Sequence, residues 1–284
     1  MLRFAAVLLV LFTAGCATQV GVPANEPPLR SDAAFTVQKN LVYTPAGWPQ
    51  AQSADLYQPQ GVGQFPAVVV VHGGGWIQGE RSIMDGISKT LAAQGFVVLN
   101  IDYRLAPAYI FPAALQDVQQ AVRWLRANAA EDHVDPTHIG AWGYSAGAEL
   151  VALLGALSPG DPNFDAAARV QAVVAGGTPT DLRKYPDNGF VRKFIGYDFT
   201  DRPTPYRDAS PIVFVSSDDP PMYLYQGTFD LTVYPVNARE MKKALDAANV
   251  PAELYLVHGL GHIGTFFLSG PVTEGVRFLD RYLR

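Results

Sequence analysis

The 284-residue sequence predicts an α/β fold, a mostly parallel, doubly wound sheet with helices on both faces and a small cap-like insertion. Three observations carry this prediction. Short runs such as "FPAVVVVHGG" and "GFVVLNIDYR" are continuously apolar, as strands buried on both faces must be. Stretches of helical period lie between them, "PAALQDVQQAVRWLRANA" being the clearest, so strand and helix alternate along the chain. The sequence is 49% hydrophobic, which is enough for one large core.

The first residues read differently from the rest. Arg3 precedes the run "FAAVLLVLF", too short to span a bilayer but with the proportions of a signal-peptide core. Residues 1–15 are therefore expected to be a signal peptide. The following "FTAGC" resembles the bacterial lipobox, with small residues before Cys16, the only cysteine of the chain. Thr13 stands where that pattern more often has leucine. Lipidation of Cys16 would make an exported lipoprotein, anchored to a membrane and facing the periplasm or exterior; ordinary secretory cleavage nearby is the competing reading. Residues 16–34 are read as the lipidated N-terminus and linker, with residues 17–31 a flexible, proline-containing tether. With one cysteine no internal disulfide can form.

Residues 35–284 are read as the folded domain. "FTVQKNLVYT" and "ADLYQP" predict an antiparallel start, followed by a parallel strand at "FPAVVVVHGG" and a helix at about 82–94. "GFVVLNIDYR" is the next strand, and Pro112 opens a helix, proline being tolerated in the first turn. "HIGAWGYS", "VQAVVAGG", "PPMYLYQGT" and "AELYLVHG" continue the strand series, with helices at about 146–157, 235–248 and 271–283. Residues 179–215, rich in Pro, Asp, Tyr and Arg, fit neither period and are expected to form an insertion over the sheet. The net charge is −5, with no block of Lys or Arg, so nucleic acid is not an expected partner.

The chemistry centres on "WGYSAGAEL", in which Ser145 stands between Gly143 and Gly147. A serine between a strand and a helix, with glycines two residues to either side, fits a turn too sharp for side chains at those positions. Such a turn exposes Oγ at the carboxyl end of the strand and leaves the Ala146 N–H at a helix N-terminus, where negative charge is stabilised. A helix-capping serine in a glycine-rich turn is the plainer reading of the same residues. Upstream, His72-Gly73-Gly74-Gly75-Trp76 follows an apolar strand and offers backbone N–H donors for an oxyanion. Downstream, Asp230 ends "MYLYQGTFD" and His262 follows "ELYLVHG". The order Ser, Asp, His is that of the α/β-hydrolases.

Together, "HGGGW", "IDYRLAP", "FPAALQDVQQAVRWL", "HIGAWGYSAG", "DPPMYLYQGTFD" and "HGLGH" resemble the hormone-sensitive-lipase-like branch of the α/β-hydrolases, especially its small bacterial carboxylesterases of the feruloyl and acetyl xylan esterase type. The likeness covers roughly residues 50 to 284. It implies an α/β-hydrolase fold, nucleophile Ser145, acid Asp230, base His262 and oxyanion donors at Gly73, Gly74 and Ala146. Hydrolysis of short-chain acyl esters through an acyl-enzyme is the implied activity, with a small-molecule ester as partner and neither cofactor nor metal. Trp76 and Tyr144 are the candidate substrate-binding residues. Two positions depart from the family: Gly147-Ala148-Glu149 replaces its usual Gly-Gly-His or Gly-Gly-Asn, and Tyr144 replaces an acidic residue.

Each assignment has a competitor in the chain. Asp218 and Asp219 precede a strand and so fall at its wrong end for the acid. His258 lies four residues before His262. His133 and His138 fit turn positions, and His72 fits an ordering role in the glycine loop. Glu149, on a helix suited to the interior, is expected to pair with Arg104 or Arg81 unless that part of the helix reaches water. Tyr185, Tyr197, Phe199 and Tyr206 are candidate stacking surfaces for a larger alcohol or sugar. "GLGHIG" at 259–264 matches a dinucleotide-binding pattern, but the further strand–helix unit such a fold needs does not follow. An arylformamidase-like amidohydrolase and a non-catalytic binding protein on a hydrolase scaffold are the alternative functions. Oligomeric state is not legible.

Overall fold

The computed structural model describes residues 17–23, 28–29 and 32–284. The expected signal peptide, Cys16 and much of the expected linker lie outside the described residues. Among these residues nine strands form one sheet in the order β1, β9, β8, β7, β6, β4, β5, β3, β2. The centre is parallel: β4 (Phe65–Val71), β5 (Val97–Ile101), β6 (Val134–Tyr144), β7 (Ala172–Gly176), β8 (Met222–Gly227) and β9 (Ala252–Val257). Both margins are antiparallel, with β2 (Phe35–Val42) and β3 (Ser53–Pro59) at one side and β1 (Ala17–Val20) at the other.

The apolar runs are buried on both faces, as their lack of alternation requires. Along β4, Val69 and Val71 join a core with Leu115, Val118 and Val122 of α2 (Ala113–Ala127). Val68 and Val70 face the other way, into a core with Ile87 and Leu91 of α1 (Asp85–Ala93) and Phe278 and Leu279 of α8 (Ser269–Leu283). The first core also takes in α3 (Ala146–Ala156) and Met241 and Leu245 of α6 (Val236–Ala247). The result is a helix–sheet–helix sandwich.

One element departs from the sequence reading. Ala17–Val20, expected within a flexible tether, instead pairs with β9, Ala17 opposite Val257 and Val20 opposite Leu254. The open edge of a parallel sheet presents unpaired N–H and C=O groups, and a short segment containing Thr18 and Val20 satisfies them. The expected insertion lies between β7 and β8 and contains the short helices α4 (Gly189–Ile195) and α5 (Pro203–Asp208). Asn188 caps α4, its Oδ1 accepting from the N–H groups of Phe190 and Val191.

Helix α3 is buried along its whole length, and two glycines permit its position. A Cβ on Gly147 would stand 2.3 Å from the Val71 carbonyl oxygen, and one on Gly143 would stand 2.2 Å from that of Gly147. The helix N-terminus thus sits directly on the ends of β4 and β6. Gly147→Ala should therefore destabilise the domain by about 3 kcal/mol, an overpacking cost with backbone as the obstacle. Thermal unfolding followed by circular dichroism checks this, and an unchanged midpoint would remove the argument.

Candidate active site

Ser145 follows β6 and has φ 56° and ψ −120°, a strained conformation for a residue with a Cβ. It is held on both sides: its N–H donates to the Gly176 carbonyl at 2.8 Å, and its carbonyl accepts from the Glu149 N–H at 3.1 Å. Its side chain makes no capping bond to α3, which removes the plainer reading of this serine. Oγ instead lies 2.9 Å from His262 Nε2.

His262 opens the short helix α7 (His262–Phe266) just beyond β9. Its Nδ1 lies 2.6 Å from Asp230 Oδ2, and both side chains are buried. Asp230 is held firmly. Oδ1 accepts from the N–H groups of Thr232 (2.9 Å) and Val233 (2.8 Å), and Oδ2 also accepts from Gln226 Nε2 (2.6 Å). The other Gln226 N–H donates to the Val233 carbonyl at 3.0 Å. With both lone-pair sets engaged, the carboxylate can orient the imidazole and steady its cationic form.

Gln226 is a site residue that motif reasoning missed. The signal was its standing as the one amide in the buried strand "MYLYQG". Tyr144 is also more than a wall. Its hydroxyl donates to the His262 carbonyl, and its ring lies 5.2 Å from the imidazole and 4.8 Å from Phe266. Gly177, at φ 58°, leaves the room these groups occupy, since a Cβ there would fall 2.8 Å from His262 Cε1. Burial raises the Tyr144 phenol well above its ordinary range, so it stays a donor.

The glycine loop lies against the same serine. A Cβ on Gly73 would stand 3.1 Å from Ser145 Cβ, and Gly74 has φ 120°, open only to glycine at low cost. The N–H groups of Gly73, Gly74 and Ala146 make no hydrogen bond to another described backbone group. His72 fastens the loop from behind: its Nδ1 lies 2.6 Å from the Gly73 carbonyl, and its ring stacks on Tyr103 at 4.3 Å. Burial lowers the His72 pKa, so the ring is neutral and donates through Nδ1. This matches the ordering role expected of it.

Glu149 corrects the sequence reading. Arg104 is engaged with Asp117 at 2.9 Å, and Arg81 with Asp55 at 2.9 Å and with Asp102. Neither reaches Glu149, which is fully buried, so the water-exposed alternative fails as well. Among the described residues its carboxyl bonds only to the indole of Trp76, Nε1 donating to Oε2 at 2.8 Å, while Oε1 has no partner. Burial pushes the carboxyl well above the usual range, outweighing the opposing effect of the indole, so the side chain is neutral. Trp76 in turn stacks on Phe194 of α4, centroids 4.5 Å apart and planes within 7°. The helix that follows Ser145, the glycine loop and the insertion are thereby tied together.

These groups border a cavity of about 310 Å³, mostly apolar, lined by the glycine loop, Ser145, His262, Tyr144, Trp76 and, from the insertion, Tyr185, Phe190 and Val191. Of the four proposed stacking aromatics only Tyr185 reaches it. Tyr206 is buried with its hydroxyl donating to the Tyr197 carbonyl, Phe199 packs edge-on against Tyr206, and Tyr197 lies on a separate surface depression. Packing the insertion took precedence over exposing its rings.

The competitors stand apart from the site. His258 is bonded to Thr18 at 2.7 Å, and His138 to Asp135 at 2.7 Å. His133 occupies a turn at φ 55°. Asp219 binds Ser216 ahead of β8, with its pKa pushed up to about 7 by burial. "GLGHIG" enters only the short α7. Among the described residues no group of three His, Cys, Asp or Glu side chains could hold a metal ion.

The chain is similar to known esterases in sequence and in fold. The BD-FAE family model matches residues 54–245. An esterase of Mycobacterium tuberculosis, LipC, is 34% identical over 240 residues, covering 78% of this chain and 59% of LipC. The chain spans about half the length of the curated relatives it matches. Among solved structures, a truncated carbohydrate esterase from gut microbiota superposes with a TM-score of 0.78 at 26% identity, covering 91% of this chain and 99% of that one. A thermophilic esterase from the planctomycete Thermogutta terrifontis gives 0.68 at 25% identity, covering 88% and 90%. His262 lies beyond the matched family segment and reaches Ser145 from α7, which follows β9. On the family match, with this sheet topology around it, the chain belongs to the BD-FAE family, within the hormone-sensitive-lipase-like branch of the α/β-hydrolases.

Proposed function

We propose that the protein is a serine carboxylesterase that cleaves short-chain acyl esters of small molecules. The observation that supports this reading most directly is the unbroken relay Asp230–His262–Ser145, with heavy-atom distances of 2.6 and 2.9 Å. His262 Nε2 removes the hydroxyl proton as Ser145 Oγ attacks the ester carbonyl, and Asp230 stabilises the imidazolium. The N–H groups of Gly73, Gly74 and Ala146 receive the oxyanion. Collapse of the tetrahedral adduct expels the alcohol, which takes the proton from His262. Water then attacks the acyl-enzyme by the same steps and releases the acid.

Two walls of the cavity are fixed rather than mobile. Trp76 is held by Glu149 and Phe194, and Tyr144 by its bond to the His262 carbonyl. A fixed aromatic wall rejects an acyl chain that overruns it, one methylene too many in a shaped pocket being worth roughly 1–3 kcal/mol of discrimination. The relatives' names include esterases and a carbohydrate esterase, in keeping with an ester substrate. We further propose export with removal of residues 1–15 and lipidation of Cys16.

Ser145→Ala should lower kcat by roughly a million-fold, as for triads that act as a unit, and abolish labelling by a fluorophosphonate probe. His262→Ala should abolish labelling too, whereas His258→Ala should retain it; labelling of the Ser145→Ala protein would overturn the nucleophile. On p-nitrophenyl esters, kcat/KM for acetate or butyrate should exceed that for decanoate by roughly tenfold or more. A decanoate preference would remove the confined pocket, and a large preference for N-formylkynurenine would replace the esterase by an amidohydrolase. Cys16→Ser should move the active enzyme from the detergent-requiring membrane fraction to the soluble one, acyl chains contributing roughly 0.8 kcal/mol per buried CH₂. Wild-type protein found soluble in cells would end the lipoprotein reading.

A further inference from the structure

Helix α3 carries one polar side chain among its eleven residues, Glu149. The rest of "AGAELVALLGA" is Ala, Gly, Leu and Val, and every position is buried, so an apolar side chain at 149 would suit the packing better. Instead a carboxyl is kept at that depth with Oε1 unpartnered among the described residues. Buried polar groups left incompletely bonded are rare enough to call for a reason, and they concentrate at functional sites. Ser145 stands one turn before Glu149.

The reason lies in what the carboxyl holds. Trp76 follows the glycine loop directly with φ 61°, a backbone region seldom occupied by residues with a Cβ, and its carbonyl accepts from the Ala106 N–H at 2.9 Å. Of the side chains at 73–79 only that of Trp76 is hydrogen-bonded among the described residues, and its partner is Glu149. The insertion supplies the other contact. Phe194 stacks on the indole at 4.5 Å, with Phe111 edge-on to Phe194. Phe190, four residues earlier on the same side of α4, lies so near Gly75 that a Cβ there would fall 2.5 Å from its Cδ1. The indole thus has one polar tether, to α3, and one stacking neighbour, on α4.

The path of the proton decides which part of the substrate meets that ring. His262 Nε2 hands its proton to the departing oxygen, so the alcohol leaves over the imidazole and the acyl chain runs away from it. Tyr144 is the aromatic that flanks the imidazole, at 5.2 Å, whereas Trp76 is built against α3 and α4. Both line the cavity, and Trp76 is the ring left to the acyl chain.

Resting on the esterase reading above, we propose that Glu149 is a positioning residue that sets the acyl length limit, its hydrogen bond fixing the Trp76 indole as the end wall of the acyl pocket. Without an acceptor at 149 the indole is free to slide along Phe194, and the pocket lengthens. An uncharged acceptor suffices, since burial holds the carboxyl neutral.

The test compares Glu149→Gln, Glu149→Leu and Trp76→Phe in the full chain, the last two also combined, on p-nitrophenyl butyrate and decanoate. Glu149→Leu and Trp76→Phe should each raise the decanoate-to-butyrate ratio of kcat/KM by roughly tenfold. Adding Glu149→Leu to Trp76→Phe should change the ratio no further, since both remove one bond, and Glu149→Gln, which keeps an acceptor, should stay at the wild-type ratio. Glu149→Met, close in size to the native side chain, is read beside Glu149→Leu so that the result does not hang on the folding of one variant. The indole is followed directly by nuclear magnetic resonance with isotope-labelled tryptophan. Of the four tryptophans, the one whose N–H resonance is lost in Trp76→Phe should shift in Glu149→Leu and hold its place in Glu149→Gln. A ratio unchanged or lowered in both Glu149→Leu and Glu149→Met, a Glu149→Gln ratio equal to theirs, or effects that multiply in the double variant would overturn the positioning role while ester turnover stands. No ester turnover by the wild-type protein, with the indole responding as expected, would overturn the esterase reading and the acyl limit with it, so the two failures are told apart.

Discussion

The molecule depends on one close approach, the N-terminus of α3 set against the ends of β4 and β6. Gly143 and Gly147 make it possible because a Cβ on either would enter backbone. The turn between them then has nowhere to go except through the strained conformation of Ser145. That strain is retained because residues 139–144 of the strand before it and the whole helix after it are buried, and because both backbone groups of Ser145 are bonded. The unfavourable dihedrals are what bring Oγ out of the helix and toward His262.

Around that fixed serine the remaining parts arrive on separate loops, each anchored by buried groups. Asp230 is held by two backbone N–H groups and Gln226, His262 by Tyr144 and Asp230, and the glycine loop by His72. A site built in this way is preorganised, so little rearrangement is needed when negative charge develops. Glu149 belongs to the same logic. A charged residue at that depth would be costly, but a neutral carboxyl accepting from the Trp76 indole keeps the pocket wall in register with the elbow helix.

Much of this was legible because it is local. Uninterrupted apolar runs define the parallel strands, and the elbow and glycine loop declare themselves through glycine spacing, which backbone geometry dictates. The order of Ser145, Asp230 and His262 was legible for the same reason, each following a strand. Contacts between distant segments were not. Nothing near Glu149 in the chain distinguishes Trp76 from Arg104 as its partner, and the burial of Tyr206 follows from how α5 packs. Gln226 reads as one polar residue in a strand until the fold sets it beside Asp230. The pairing of Ala17–Val20 with β9 was hidden by proline-rich neighbours that read as a tether.

That last pairing has a bearing on solubility. Without β1 the sheet would end in β9, a six-residue strand whose outward row of donors and acceptors would be free to recruit the same edge of a second molecule. Four residues at the start of the described chain therefore act as a selvedge, closing the fabric of the sheet where it would otherwise fray into its neighbours. A protein trimmed back to the first predicted strand would keep the relay complete and lose this guard, trading a tidy N-terminus for a tendency to self-associate.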